Sequence, residues 1–432
     1  MKTKITKREI LTKTIISASL LILMFLSFFF SDDLERVFKM NVKYASNEVS
    51  ASDVEDSSFS VDYIDVGQGN SSFVVLPDGK TLLIDGGNTM YGEVVTKHLL
   101  GKNVSSIDYL IATHADSDHI GGLNYVLDNF DVKNIYRPFQ ISGTGTSAEM
   151  FEVYEYEDLE NVYEHYAEKS SRNKISRVTS EIYKTFIKNI YTETYTENQI
   201  ETRSSVTVFY DGLKIVGKDY EIEFFAPLVH DETVELSTMS TTLGYATKGY
   251  GVDKSNDNSA VFLLTCEENK FLFTGDASWK ENNSSDELKW NKFEELDFIA
   301  SLSETEKTKL SNVSVLLAGH HGSSHSTSSE LLNLINPSFV VFSVGKNNTY
   351  GHPASEVIFR IEKTKNIEKD YLLRTDKSGT ITFVSNEGKL CYVQEISTYA
   401  KNQTLTWELF ASLMCFGLIV LVVSIKPKSR RM

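Results

Sequence analysis

The stretch Thr113-His114-Ala115-Asp116-Ser117-Asp118-His119-Ile120-Gly121-Gly122 constrains this chain more than any other. It follows Ile107-Asp108-Tyr109-Leu110-Ile111-Ala112, an apolar run of the kind that forms a buried strand. Four metal-capable side chains, His114, Asp116, Asp118 and His119, therefore leave the end of one rigid element within six residues. In an extended loop, positions i and i+2 point the same way, so His114 and Asp116 can grip one ion. Asp118 and His119 form a second pair, and Gly121-Gly122 permits a close backbone approach before a helix. Two ligand pairs on one short loop point to two divalent cations, an arrangement used for hydrolysis.

The chain around this stretch reads as strand, turn and helix in a regular order. Residues 58–66 and 71–76 form a hairpin across Gly67-Gln68-Gly69-Asn70, and 81–85 returns after Pro77-Asp78-Gly79-Lys80. A helix at 91–100, the strand at 107–112, a helix at 122–130 and a strand at 133–136 follow. Residues 140–204 break the pattern, being rich in Tyr, Glu, Thr and Ser with a helical period at 180–190. They read as an insertion over the site edge, a partly ordered helical lid. Strands return at 205–210, 213–216 and 220–226, before a polar loop at 230–258. The second half echoes the first: a hairpin at 259–265 and 270–274, a helix near 285–296, then alternating strands (313–318, 338–344) and helices (328–335, 354–363). Strands at 371–374, 379–384 and 389–394 finish the domain. Two such halves packed sheet to sheet give an α/β fold, a four-layer αββα sandwich spanning residues 58–398.

The ends differ in kind. Residues 14–31 carry no charge and are long enough to span a bilayer, preceded by Lys2, Lys4, Lys7, Arg8 and Lys13. A cleaved signal peptide shares that pattern, but no small-x-small site follows the run, which favours an uncleaved anchor. Residues 409–425 are again uncharged, with Trp407 at one edge and Lys426, Lys428, Arg430 and Arg431 at the other. Two spans place both termini in the cytoplasm, a tether at 32–57, and the domain outside. Removing the nine basic residues and single acid of the two tails from the 43 and 59 in the chain leaves 34 against 58, a net of −24. Such a domain repels nucleic acid at long range unless metals or a local basic patch compensate. Three cysteines, Cys266, Cys391 and Cys415, make no framework.

Three further polar groups leave strand ends in the second half: Gly275-Asp276, Gly319-His320-His321-Gly322-Ser323, and Asn347 with Tyr350-Gly351-His352-Pro353. Ligands in open sheets gather at strand ends, so these groups can converge on the first motif. With Asp65-Val66-Gly67-Gln68-Gly69, Ile84-Asp85-Gly86-Gly87 and Asn258-Ser259, they make the chain resemble the metallo-β-lactamase-fold superfamily. Within it, the chain is similar to the hydrolase domain of ComEC-type DNA-uptake proteins. The resemblance runs from about residue 60 to 385 and implies metal ligation by His114, Asp116, Asp118, His119, Asp276 and one of His320 and His321. His320 is preferred, as the first polar residue off its strand. Asp65, Asp85 and Asn258 would hold ligands in orientation. Asp118 and Asp276 would orient the nucleophile, and His352 would give a proton to the leaving oxygen.

The chain departs from the superfamily pattern where Asp116 replaces its usual second histidine and Asn70 replaces an aspartate. No clear third histidine lies between His119 and Asp276, since His165 and His230 read as surface residues. A site richer in oxygen suits manganese as well as zinc. The expectation is a membrane-anchored, extracytoplasmic hydrolase of phosphodiesters, either DNA or a cell-envelope polymer. With two spans it is not itself a channel. A lactonase- or lactamase-like hydrolase of esters or amides is the alternative, and a non-catalytic binding module a third.

Overall fold

The computed structural model describes residues 41–44, 59–138, 141–142, 177–178, 180–227, 256, 259–279, 294–365, 371–386 and 389–394. The two terminal runs, the loop at 230–258 (bar residue 256), His165, His230 and Asn258 lie outside the described residues. Among the described residues, no helix is long and apolar enough to cross a membrane.

Alternation builds the two sheets. In the first half the strands are β1 (Asn41–Tyr44), β2 (Phe59–Tyr63), β3 (Ser72–Val75), β4 (Thr81–Ile84), β5 (Ser106–Ile111), β6 (Asp131–Arg137) and β7 (Ser205–Val208). The second half supplies β8 (Lys214–Gly217), β9 (Tyr220–Ala226), β10 (Val261–Cys266), β11 (Asn269–Phe273), β12 (Val315–Leu317), β13 (Phe339–Phe342), β14 (Leu372–Arg374), β15 (Ile381–Asn386) and β16 (Lys389–Gln394). One sheet has nine strands, in the order β1-β16-β15-β2-β3-β4-β5-β6-β7, and the other seven, β8 to β14 in sequence order.

Successive residues of a strand face opposite sides, and that rule sorts the core into layers. On β5, Tyr109 and Ile111 join the cluster between the sheets, while Leu110 joins a cluster on the outer face. On β9, Phe224 faces inward and Phe225 outward; on β11, Phe271 and Phe273 face inward and Leu272 outward. Phe224, Phe262 and Phe273 stand opposite one another on β9, β10 and β11, with ring centroids 5.2 and 4.9 Å apart. Such cross-strand aromatic pairs stabilise a sheet beyond the area they bury. Cys266 and Cys391 are both buried.

Helices cover both outer faces. On the nine-stranded sheet these are α1 (Gly92–Gly101), α2 (Ser117–Ile120), α3 (Leu123–Leu127) and α4 (Glu181–Thr192). On the other they are α5 (Glu294–Ser301), α6 (Glu304–Leu310), α7 (Ser329–Ile335) and α8 (Ser355–Lys365). Residues 180–204 hold more than a lid. Ser180 caps α4 by accepting from the Ile182 amide, and Tyr183, Phe186, Ile187 and Ile190 are buried in the outer core at i, i+3, i+4 and i+7. Each such burial contributes about 1.5–3 kcal/mol. The hairpin Thr194–Glu197 with Ile200–Arg203 follows.

Other elements also differ from the pattern reading. Strand β1 lies in the expected tether and sits at the edge of the first sheet. Most of the helix expected near 285–296 lies outside the described residues, which resume with α5, and α6 follows it. Ser303 and Glu306 cap α6 reciprocally, the Ser303 side chain on the Glu306 amide and the Glu306 carboxylate on the Ser303 amide. Strands β15 and β16 leave the second half and return to the first sheet, where β15 pairs antiparallel with β2.

Candidate metal centre

Parallel pairing aligns the ends that matter. Strands β4, β5 and β6 run parallel, as do β11, β12, β13 and β14. The polar loops after β5, β11, β12 and β13 therefore emerge at the carboxyl ends of their strands, where ligands of open sheets bind.

After β5 the chain turns at Asp116, which stands at the N-cap of α2 in extended backbone without using its side chain as a cap. Its half-exposed carboxylate instead lies 3.8 Å from His114 Nε2. The turn brings His119 back beside His114, ring centroids 4.0 Å apart. Gly122 opens α3, and a Cβ there would lie 2.0 Å from the Gly86 carbonyl oxygen, so only glycine lets the two motif loops meet. After β11, Gly275 takes φ +49° and the Asp276 amide donates to Ser259 Oγ at 3.0 Å. After β12, His320 and His321 both adopt left-handed backbone, φ 49° and 55°. That conformation is uncommon for residues with a side chain and clusters at functional sites.

Asp276 is the hub. Its carboxylate lies 3.1 Å from His119 Nε2, 3.5 Å from His320 Nε2, 3.7 Å from His321 Nε2 and 3.8 Å from His114 Nε2. Asp118 Oδ2 lies 3.2 Å from His321 Nε2. Among the described residues two groups can hold a cation: His114, His119 and Asp276; and Asp118, His119 and His321, the donor atoms of each lying within 4.8 Å of one another.

Hydrogen bonds at the far ring nitrogens decide which lone pairs are free. The Thr113 hydroxyl gives its hydrogen to Asp85 Oδ2 at 2.7 Å, so it accepts from His114 Nδ1 at 3.1 Å. His119 Nδ1 donates to Asp85 Oδ2 at 2.7 Å, and His321 Nδ1 donates to the Ser343 carbonyl at 3.0 Å. All three imidazoles thus turn Nε2 toward Asp276. Those three nitrogens and Asp276 Oδ1 are buried without a hydrogen-bond partner. Buried polar atoms are rarely left so, and four converging on one point fit a divalent cation.

The electrostatics agree. Burial and the neighbouring His119 charge push the His114 pKa down to about 3, which keeps that ring neutral. Burial opposes protonation of His119, yet the charges of Asp276 and Asp85 outweigh it and raise its pKa. A cation would take the place of that proton, as ligation to neutral imidazole does. Burial also raises Asp276 and Asp118. Around Asp276 the charges of His320, His119 and His321 reverse that and hold it well below the usual carboxylate range; the His321 imidazole, with His119, takes Asp118 down to about 2. Asp116, raised to about 6 by burial and by Asp276, is the weakest acid of the set.

The expected residues fall into place unequally. His114, Asp118, His119 and Asp276 come together, with Asp116 at the rim. Of the two candidate histidines, His321 is buried and braced by Ser343, whereas His320 is 31% exposed and belongs to neither group. Two successive left-handed residues turn the His321 ring inward, toward Asp118 and Asp276. Asp85 accepts from His119 Nδ1. Asp65 instead accepts from the Gly67 amide at 3.1 Å, organising its own turn. His352 is half-buried against His320, ring centroids 5.7 Å apart, and burial takes its pKa down to about 4. Thr113, Ser259 and Ser343 also brace the site; each stands beside a motif, which is the signal that marks them.

Residues 64–169 match the model of the metallo-beta-lactamase superfamily. The chain carries a metallo-β-lactamase-fold domain. It is 24% identical over 340 residues to ComE operon protein 3 of Bacillus subtilis, covering 75% of this chain and 32% of that one. It is 42% identical over 74 residues to the competence protein ComA of Neisseria gonorrhoeae, covering 17% of this chain and 10% of that one. The chain thus spans about a third of the first relative and a tenth of the second. Among solved structures, the metallo-beta-lactamase fold protein YhfI from Bacillus subtilis aligns with TM-score 0.36 and 9% identity, over 77% of this chain and 99% of that one. The ComEC-type resemblance of the motifs accords with these relatives, and the fold implies a metal-dependent hydrolase.

Proposed function

We propose that the domain is a dinuclear-metal phosphodiesterase, held at the outer face of a membrane by the apolar segments at 14–31 and 409–425. The observation that carries this reading is the convergence of three unpartnered imidazole Nε2 atoms, of His114, His119 and His321, on Asp276, with Asp118 beside His321. His114, His119, Asp276 and the rim carboxylate Asp116 would hold one ion; Asp118, His321 and Asp276 would complete the second. The oxygen-rich donor set suits manganese or zinc. When bound, two such ions supply a hydroxide at neutral pH and charge to offset the oxyanion of an in-line displacement.

The chain's own groups do the rest. Asp118, kept ionised, can accept a hydrogen bond from the nucleophile and orient it. Asp85 and Ser343 hold His119 and His321 in one tautomer, so the donor set is preorganised. His352 is neutral and its Nδ1 has no partner, which suits a hydrogen bond to the leaving oxygen more than full protonation. The acidic balance of the domain favours a small envelope phosphodiester or a short nucleic acid strand over bulk duplex.

The test is hydrolysis of bis(p-nitrophenyl) phosphate by the full-length chain with Mn²⁺ or Zn²⁺, beside Asp276→Ala. Metal-dependent release of p-nitrophenolate, lost in the variant, supports the reading. Bound metal without diester cleavage, together with turnover of a lactone or β-lactam, would move the chemistry to carbon. Protease treatment of intact cells that spares the domain would overturn the topology.

A further inference from the structure

Tyr350 is 72% exposed, among the most solvent-facing large side chains of the described residues, and it stands beside the metal centre. Its ring stacks on His352 with centroids 5.8 Å apart and planes at 28°. His352 stacks in turn on His321 at 6.4 Å and 25°. These spacings are those of offset aromatic pairs. A column of three rings therefore runs from open solvent to the imidazole that faces Asp118 and Asp276.

The loop that carries Tyr350 is braced. The Asn348 side chain donates to the Gly345 carbonyl at 3.0 Å and the His352 carbonyl at 2.8 Å, and it accepts from the His352 amide at 3.0 Å. The Ala354 amide donates to the Gly322 carbonyl at 2.9 Å, tying the loop to the turn after His321. Gly351 takes φ +75°, and a Cβ there would meet nothing within 4 Å, so backbone conformation and not crowding favours glycine. A held aromatic ring that buries little of itself contributes little to folding. It does offer a rigid flat face, at low entropic cost, to a ligand entering the site.

We propose that Tyr350 is a stacking platform for a planar aromatic group, a nucleobase in the simplest case, carried next to the scissile phosphodiester. The proposal rests on the phosphodiesterase reading for its position relative to the bond cleaved. It also meets the charge problem: a domain with no net attraction for a polyanion must gain affinity from short-range contacts, and base–aromatic stacking is one that every base can make.

The test compares two short single strands of identical phosphorothioate backbone, one bearing thymine at every position and one abasic throughout. Binding to the full-length chain is read by fluorescence anisotropy. The wild type is expected to prefer the base-bearing strand by about tenfold. Tyr350→Ala and Tyr350→Leu should reduce that preference to about one, although leucine still covers His352, while Tyr350→Phe should restore it. A merely structural tyrosine would be replaced by leucine without changing the preference. No binding of either strand, no wild-type preference, or a preference kept in Tyr350→Ala would overturn the platform. Cleavage of the unmodified strands is measured separately. Base-selective binding without cleavage under any metal would refute the phosphodiesterase reading and leave the platform standing, whereas cleavage blind to the bases would do the reverse.

Discussion

Asp85 accepts a hydrogen bond from His119 Nδ1 at 2.7 Å, and the opposite nitrogen of the same ring lies 3.1 Å from Asp276. His119 is thus suspended between two buried carboxylates from the two halves of the domain. One braces its Nδ1 and the other faces its Nε2. Asp85 itself sits at φ 57°, a backbone conformation that the surrounding packing must impose.

That relationship predicts the effect of Asp85→Ala. Without its acceptor the His119 ring loses its fixed orientation, and metal affinity should fall about 10–100-fold. Competition against a chromogenic chelator measures it. Unchanged affinity would show that Thr113 and packing suffice.

The two adjacent histidines should behave differently. His321→Ala is expected to cut the bound metal from two equivalents to about one, because it removes the second-half imidazole that, among the described residues, faces Asp118. His320→Ala should keep both equivalents. Elemental analysis after gel filtration decides, and the opposite pattern would make His320 the ligand.

Arg360 should matter to stability without touching the centre. From α8 its guanidinium donates to the carbonyls of Ser324, Ser326 and Thr327 at 3.2, 2.8 and 2.7 Å, and it lies over the Trp279 ring. On the other side, Glu295 of α5 accepts from the amides of Thr327 and Ser328. Burial raises the Glu295 pKa to about 7, and the turn after His321 is held between its carboxyl and the Arg360 guanidinium by these hydrogen bonds. Arg360→Ala is expected to cost about 2–3 kcal/mol in urea denaturation, and Arg360→Lys to recover only part, since an ammonium lacks the fork.

Asp62 supplies a pH signature away from the metal centre. Its side chain is fully buried, and burial raises its pKa, but the hydrogen bond from His98 and the charge of Lys102, at 2.8 and 2.7 Å, bring it below the ordinary 3.8. A depressed carboxylate contributes stability above its unfolded pKa and loses it as pH falls through the folded one. Asp62→Asn should therefore be about 1–3 kcal/mol less stable near neutrality, with the gap closing below pH 3.8. Chemical denaturation at several pH values checks it. A gap independent of pH would mean the lost interaction is steric.

Much of this was legible in the chain. Alternating apolar residues located the core strands, because period two is imposed by the pleat itself, and Phe224 against Phe225 shows how cleanly it sorts two faces. Each metal-capable loop followed such a strand. The return of β15 and β16 to the first sheet was not legible, since pairing partners far apart leave no local periodicity. That His321 faces Asp118 depends on two successive positive φ values, which sequence spacing does not report. Helix α6 is a different case: its capping signal, Ser303 with Glu306, stood in the sequence unread.

The pairing of β15 with β2 has a kinetic consequence. The Asp65 amide donates to Thr380 Oγ1, 315 residues further along, and the strands on either side are joined in the same register. During synthesis β2 emerges early and keeps one edge unpaired until nearly the whole domain has been made. An open edge of that kind is a template for wrong partners, and long-range closure is slow. Truncation before residue 381 should therefore yield aggregates instead of a smaller folded core, and the nascent chain would depend on a chaperone to keep that edge occupied until its last strands arrive.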